Sequence, residues 1–184
     1  MRILVYSMGE VIGDGLIKLP FAAGLRRAFP DAHIAWVAAK GDTVYAGSLA
    51  GVVTGLIDEI ITAGPTGAGA FDMLPWVRPF GGRRFDLVID TQENALRAAV
   101  VRRAVGKGGR RVSPAQAEGD WPVAVVDRLA KLLDLAKPGA RLAPLRLTDA
   151  EATAAAADLL RDGPVYIGFA PGAAALLDTH LLSP

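Results

Sequence analysis

Two carboxylates follow the first apolar run of the chain, where they could act as a base. Glu10 and Asp14 lie among glycines at positions 9, 13 and 15, after the run Ile3 to Tyr6 and before a helical pattern ending near Phe29. The run predicts a buried strand and the glycines predict a turn. A strand that leads into a helix through such a turn places the turn at the carboxyl edge of a sheet, where open α/β proteins bind ligands. We therefore expect Asp14 at a functional edge.

The same residues have simpler interpretations. A carboxylate at the start of a helix is stabilised by the helix dipole, by about 0.3–1 kcal/mol when exposed, so an ordinary N-cap explains Asp14 as well as a base does. Glu10 is more simply a solvated loop carboxylate. The glycine spacing GxxxGxG departs from the dinucleotide fingerprint GxGxxG, and no glycine-lysine-serine/threonine follows the strand. Nicotinamide and P-loop chemistry are therefore disfavoured, and no cofactor is predicted.

A second group of polar side chains follows a later apolar run, Phe85 to Asp90. Gln92 and Asn94 carry amides that can hydrogen-bond a polyhydroxylated ligand, although capping of the next helix explains Asn94 equally well. Because parallel strands end at the same edge of a sheet, both residues are expected on the edge that carries Asp14.

The densest basic region begins in the helical pattern after Asn94. Its members are Arg97, Arg102, Arg103, Lys107, Arg110 and Arg111. A solvated helix face explains them most simply. The alternative is recognition of phosphate or carboxylate, which the planar guanidinium group suits. Among the tryptophans, Trp36 and Trp121 are predicted to pack in the interior, and Trp76 alone is a candidate for ligand contact.

Composition excludes several classes of function. The chain has 184 residues, no cysteine, two histidines and a formal net charge of +1. No metal site is predicted, because cysteine ligands are absent and the histidines are distant in sequence. The balanced charge predicts no nucleic-acid partner. No apolar run approaches the ~20 residues of a membrane span, and the first residues lead into a strand rather than a secretory signal. We expect a cytoplasmic protein.

Strand and helix patterns alternate along the chain. Further strands are predicted at 33–38, 57–62, 110–113 and 165–170, and further helices from Asp42 to Leu49, from position 95 to a stop at Gly106, from Pro122 to Leu135, and from Thr148 to Arg161. A glycine- and proline-rich loop is expected at 63–82. This order predicts an α/β fold, a Rossmann-like parallel sheet with helices on both faces.

Four segments together resemble the bacterial glycosyltransferase family that includes the lipopolysaccharide heptosyltransferases. They read RILVYSMGEVIGDGLIKLP, FDLVIDTQENALRAAVVRRAVGKGGRRVS, VVDRLAKLLDL and VYIGFAPGA, and they follow the family's order across nearly the whole chain. In the first segment, Gly13 and Asp14 are followed by a proline six residues after Asp14, at Pro20. The chain departs from the family pattern at Glu93, where a glycine is common, and it lacks a lysine after Ala173.

The resemblance implies the amino-terminal half of a GT-B glycosyltransferase. Residues 1–163 would form the acceptor-binding domain, and residues 164–184 the start of the donor-binding domain. By motif match, Asp14 would be the general base of an inverting sugar transfer. The other implied site residues are Lys18, Gln92, Asn94 and Arg97 for the acceptor, and Pro171, Gly172 and Ala173 for the donor.

The implied partners are a lipopolysaccharide core or lipid A-type acceptor and, only where a second domain is present, an ADP-heptose-like nucleotide-sugar donor. We expect the chain alone to lack sugar transfer. Its location would be cytoplasmic, with contact to the inner face of the cytoplasmic membrane left open. The alternative is a non-catalytic Rossmann-like interaction domain that dimerises or binds another protein. A small nucleotide-binding domain is disfavoured by the glycine spacing.

Overall fold

The computed structural model describes residues 1–39, 42–62, 79–92, 95–117 and 120–145, together with positions 154, 155, 157, 158 and 163. The chain divides into two compact units, Met1–Arg146 and Leu147–Pro184. The elements named below all belong to the first unit. The domain boundary at residue 163 stays a prediction.

Five parallel strands form one sheet in the described part of the chain. They are β1 (Arg2–Ser7), β2 (His33–Ala38), β3 (Glu59–Thr62), β4 (Phe85–Asp90) and β5 (Val105–Val112), in the order β3-β2-β1-β4-β5. The predicted parallel α/β fold is confirmed. The order reverses between β1 and β4, and such a switch point opens a crevice at the carboxyl ends of the two strands.

The central strands β1, β2 and β4 are mostly apolar on both sides because each side of the sheet has its own core. Along β1, Ile3 and Val5 belong to one buried cluster, whereas Leu4 and Tyr6 belong to the other. Successive side chains of a strand point to opposite faces, so a sheet covered on both faces needs a continuous apolar run. This explains why β1 lacks the polar alternation of a half-exposed strand.

The α-helices whose bounds are described are α1 (Ile12–Ala28), α2 (Ala50–Val53), α3 (Ala95–Arg102) and α4 (Val125–Ala136). Leu19 of α1 and Leu133 of α4 pack into the first core, and Val101 of α3 packs into the second. Helices therefore cover both faces, as predicted. None of these helices combines the length and the apolar character needed to cross a membrane.

The helix predicted from Asp42 to Leu49 is wrong. Thr43 accepts a hydrogen bond from the backbone N–H of Tyr45 at 3.3 Å and begins a single 3-10 turn, and α2 starts only at Ala50. Thr43 therefore takes the capping role expected of Asp42. β3 also begins later than predicted, because Asp58 accepts hydrogen bonds from the N–H of Ile34 and from Arg26 instead of joining the strand.

The bounds of α3, β5 and α4 also differ from prediction. Gly106 does not close α3, which ends at Arg102, and β5 begins at Val105 rather than Arg110. A Cβ at Gly109 would lie 2.8 Å from the carbonyl oxygen of Phe85. Glycine therefore lets β5 approach β4 across the register shift between Phe85 and Leu87. α4 begins at Val125, after the predicted start at Pro122.

Candidate functional site

The loop between β1 and α1 is shorter than the sequence predicts. α1 begins at Ile12 with Val11 as its N-cap, so Gly13, Asp14 and Gly15 lie in the first helical turn. Asp14 is therefore not the N-cap, although it is the acidic residue of that turn, where the helix dipole favours negative charge. Gly15 lies against the segment after β2, since a Cβ there would be 2.6 Å from Cγ2 of Val44.

Three of the predicted site residues meet in one pocket, which we call the Asp14 pocket. Its volume is about 340 Å³. It is lined by Asp14 and Lys18 from α1, by Thr91 and Gln92 after β4, and by Val125, Arg128, Leu129 and Leu132 from α4. The pocket lies at the carboxyl ends of β1 and β4, beside the switch point of the sheet.

Hydrogen bonds hold the segment after β4 in place. The hydroxyl of Thr91 donates to the carbonyl of Tyr6 at 2.9 Å, and the Thr91 N–H donates to the same oxygen at 3.1 Å. The side-chain amide of Gln92 donates to the hydroxyl of Thr91 at 2.9 Å. The end of β1 thus positions the amide oxygen of Gln92, which retains its capacity to accept a hydrogen bond from a ligand.

The carboxylate of Asp14 is exposed at the pocket, and no hydrogen bond or ion pair joins it to another described side chain. The Arg128 guanidinium also lines the pocket, and it donates from Nε to the carbonyl of Pro122 at 2.5 Å. An unpaired carboxylate facing hydrogen-bonding groups and a cation can accept a proton from a bound hydroxyl.

Glu10 is buried, which contradicts its interpretation as a solvated loop residue. It is 4% exposed, and its Oε1 accepts hydrogen bonds from Ser7 at 2.5 Å, Lys18 at 3.0 Å and the indole N–H of Trp36 at 3.1 Å. Its Oε2 accepts from Thr43 at 2.5 Å. The turn into this position uses Gly9, with φ +116°, where a Cβ would lie 2.8 Å from the Asp42 carbonyl.

The pKa of Glu10 lies below its ordinary value of 4.5. Burial alone would raise the pKa, but the charge of Lys18 and hydrogen bonds from Ser7, Thr43 and Lys18 outweigh it. Glu10 is therefore ionised at neutral pH. The sequence analysis did not predict this hydrogen-bond network around Glu10, and no local sequence pattern indicates it.

A second and larger pocket lies beside the first and shares Gln92 with it. We call it the Asp90 pocket, and its volume is about 480 Å³. Its other lining residues are Asp90, Ala98, Ala99, Arg102, Arg111, Ser113, Pro114, Ala115 and Trp121. It lies where β4 and β5 end, so the two pockets occupy neighbouring positions on one sheet edge.

Asp90 is the buried charge of this second pocket. It is 1% exposed, and it accepts a hydrogen bond from the N–H of Gln92 at 3.0 Å while Arg111 lies 3.3 Å from Oδ2. Burial raises the pKa of Asp90 to about 6, and the Gln92 N–H and the Arg111 charge offset only part of that effect. Asp90 therefore changes charge close to neutral pH.

The predicted basic region divides into two roles. Arg102 and Arg111 line the Asp90 pocket, where Arg111 lies 3.3 Å from the Asp90 carboxylate, and the anion-binding alternative stays a prediction. Arg110 instead donates to the carbonyls of Leu135 and Ala136 at the carboxyl end of α4, where a cation stabilises the helix.

Trp121 also lines the Asp90 pocket, in addition to packing against the core as predicted. Its buried Nε1 has no hydrogen-bond partner among the described residues. Its position in the connection after β5, at the same sheet edge, is the signal that could have marked it. Trp76, the sequence candidate, lies outside the described residues.

Several predicted site residues cannot be placed. Asn94, Pro171, Gly172 and Ala173 lie outside the described residues. Arg97 lies in α3, but its side chain is not among those described. Within the described part of the chain, no group of three or more histidine, aspartate or glutamate side chains is arranged to hold a metal ion.

Neither family models nor curated proteins match this chain. Several solved structures do match it. The glycosyl transferase family 9 structure from Veillonella parvula DSM 2008 has 17% identity and a TM-score of 0.51, over 95% of this chain and 55% of that chain. The E. coli heptosyltransferase WaaC with ADP has 18% identity and a TM-score of 0.49, over 79% of this chain and 50% of that chain. WaaC with ADP-2-deoxy-2-fluoro heptose has 18% identity and a TM-score of 0.48, over 79% and 51%.

The chain therefore spans about half the length of the solved structures that it matches. At 17% identity, the likeness to the Veillonella parvula structure concerns the fold. The predicted resemblance to heptosyltransferase-like glycosyltransferases is thus confirmed at the level of the fold, which this chain shares with a family 9 glycosyl transferase.

Proposed function

We propose that this chain is the acceptor-binding half of a heptosyltransferase-like glycosyltransferase of GT-B architecture. In this proposal, the complete enzyme transfers a sugar from a nucleotide-sugar to a lipopolysaccharide core acceptor with inversion at the anomeric carbon. The observation that carries the proposal is the Asp14 pocket at the switch point of the sheet, where a carboxylate with no partner among the described side chains lines the same cavity as Lys18 and Gln92. The shared fold and the sequence resemblance agree with it.

Asp14 acts as the general base of the proposed reaction. Its carboxylate removes the proton from an acceptor hydroxyl as the hydroxyl oxygen attacks the anomeric carbon. The bond from that carbon to the nucleotide diphosphate breaks, and its electron pair leaves with the diphosphate. A sugar hydroxyl is a weak nucleophile, and a positioned base typically contributes about 10²–10⁴ in rate.

The other residues of the pocket bind the acceptor. Gln92 offers an amide to sugar hydroxyls, and Lys18 offers an N–H donor to hydroxyl or anionic groups. Asn94 and Arg97, which follow Gln92 in the sequence, are proposed to extend this surface. Pro171, Gly172 and Ala173 are proposed to approach an ADP-heptose-like donor, as the sequence resemblance implies. We propose that the reaction takes place in the cytoplasm.

The proposal is tested by replacing the base. The chain is joined to a donor-binding domain, and sugar transfer is compared for wild type, Asp14→Asn and Asp127→Asn. Asp127 is a matched control because it is an exposed aspartate in the first turn of α4 and does not line the Asp14 pocket. We expect Asp14→Asn to lower kcat by about 10²–10⁴ while the acceptor still binds.

The control variant should transfer sugar at the wild-type rate. If Asp14→Asn does so as well, Asp14 only stabilises the start of α1 and the proposed mechanism is wrong. Binding of a delipidated lipopolysaccharide core oligosaccharide to the chain, measured by calorimetry, checks the acceptor role separately from turnover.

A second candidate function, a non-catalytic interaction domain, is favoured by one observation. Exposed apolar side chains lie on or just before the two helices that line the Asp14 pocket; they are Val11, Ile12, Leu16 and Ile17 beside or on α1, and Val123, Val125 and Val126 at the start of α4. An exposed apolar patch commonly marks a surface that another molecule covers.

A further inference from the structure

The ammonium of Lys18 lies between a buried carboxylate and the open pocket. Its Nζ is 3.0 Å from Oε1 of Glu10 and 2.9 Å from the hydroxyl of Ser7. The Lys18 side chain is 13% exposed and the Glu10 side chain is 0% exposed. The same Lys18 side chain lines the Asp14 pocket. Lys18 therefore connects the interior with the proposed site.

Lys18 also follows Asp14 by four residues on α1. An aspartate and a lysine at this spacing are neighbours on a helix surface and can form an ion pair. In this structure the pair is not formed, because the ammonium is directed to Glu10 and Ser7 instead. Neutralising a buried carboxylate is worth far more than an exposed helical ion pair. The competition between the two carboxylates therefore favours Glu10.

The rest of the network makes Glu10 a fixed anchor for the ammonium. Ser7, Trp36 and Thr43 donate to its two oxygens, and they come from β1, β2 and the segment after β2. Donors from three places in the chain hold the carboxylate in one orientation. Glu10 thus offers Lys18 a partner whose position does not depend on the pocket.

We propose that Glu10 is a positioning residue that draws Lys18 away from Asp14. Glu10 thereby leaves the Asp14 carboxylate unpaired and able to accept a proton, while one N–H of Lys18 stays directed toward the pocket. This role of Asp14 rests on the proposed function, whereas the choice of partner by Lys18 does not.

The choice of partner is measured by nuclear magnetic resonance on the chain itself. Scalar couplings across hydrogen bonds link the Lys18 Nζ to the carboxyl carbon that accepts from it. In the wild type we expect coupling to Glu10 and none to Asp14. In Glu10→Gln the ammonium would lose its buried counter-charge, so we expect it to couple to Asp14 and to shift the Asp14 carboxyl resonance.

Two further variants distinguish a change in the partner of Lys18 from a general disruption of the fold. In the double variant Glu10→Gln with Lys18→Met, the Asp14 resonance should return to its wild-type position, because no ammonium remains to pair with it. Glu59→Gln is the matched control; it removes a carboxylate that pairs with Arg83 and His33, and it should leave both resonances unchanged.

Asp14→Asn provides a test that does not require Glu10→Gln to fold. The Lys18 ammonium resonance should be unchanged in this surface variant, because Asp14 is not its partner. Wild-type coupling between Lys18 and Asp14, a shifted ammonium resonance in Asp14→Asn, or an unmoved Lys18 in a folded Glu10→Gln would overturn the inference. A failure of the proposed function would instead appear in the sugar-transfer experiment, where Asp14→Asn would transfer sugar at the wild-type rate.

Discussion

Asp90 gives the molecule a pH dependence of stability that can be worked out from the structure. It is 1% exposed, and burial raises its pKa to about 6 from an ordinary value of 3.8. Between these values the folded chain keeps a proton that the unfolded chain releases. Stability therefore falls as pH rises through this range, since the unfolded state binds fewer protons. Asp90→Asn removes the titration and should remove the fall.

The size of the effect follows from the same two values. One pKa unit corresponds to about 1.4 kcal/mol, so the full difference is worth about 3 kcal/mol. About 2 kcal/mol of this falls between pH 4.5 and 7 when the linkage is integrated over that window. Other buried or paired carboxylates affect stability in a lower pH range. Glu10, Asp58 and Glu59 have lowered pKa values, so their stabilisation is present above about pH 4.5 and is lost as pH falls further.

The assay is denaturant unfolding of wild type and Asp90→Asn at several pH values between 4.5 and 7. The free energy of unfolding of the wild type, relative to the variant, should decrease by about 2 kcal/mol across the window. Asp86→Asn is the matched control, because Asp86 is an exposed aspartate on the same strand. Parallel curves for wild type and Asp90→Asn would refute the reasoning, since they would mean that Asp90 titrates alike in both states.

Two further predictions concern packing and association. In Gly24→Ala the new Cβ would lie 2.6 Å from the carbonyl oxygen of Arg141, so thermal unfolding should show a loss of about 1–3 kcal/mol. Gly51→Ala, which meets nothing within 4 Å, should cause no such loss; equal effects would contradict the packing argument. If the chain is an acceptor-binding domain, sedimentation should show a monomer. A stable dimer that is indifferent to core oligosaccharide and is dissociated by Ile17→Asp would favour the interaction domain instead.

Local sequence patterns predicted the bounds of a strand correctly where those bounds depend on residues that are neighbours in the sequence. The run Phe85–Asp90 predicts β4 at its observed bounds, and His33–Ala38 does the same for β2. Both are apolar on the two sides because both faces of the sheet are covered. The predicted boundaries of α3 and β5 were wrong, because these boundaries depend on how closely β5 approaches β4 at Gly109.

Part of the site could also be predicted. Asp14 and Gln92 each follow a strand of a parallel sheet, and this alone places them on one edge. The structure brings them into the same pocket with Lys18. The Asp90 pocket was missed, because an aspartate at a strand end gives no indication that it is buried or that Trp121 and Arg111 lie beside it.

The sequence by itself determined the alternation of strands and helices, the parallel sheet and the edge on which Asp14 lies. Only the tertiary structure decided which carboxylate is buried and which is exposed. Glu10 and Asp14 have similar local sequence surroundings, but Glu10 meets Trp36 and Thr43, which are 26 and 33 residues away along the chain. Hydrogen bonds across such separations arise from packing of the folded chain, so no local pattern could assign Lys18 to Glu10 rather than to Asp14.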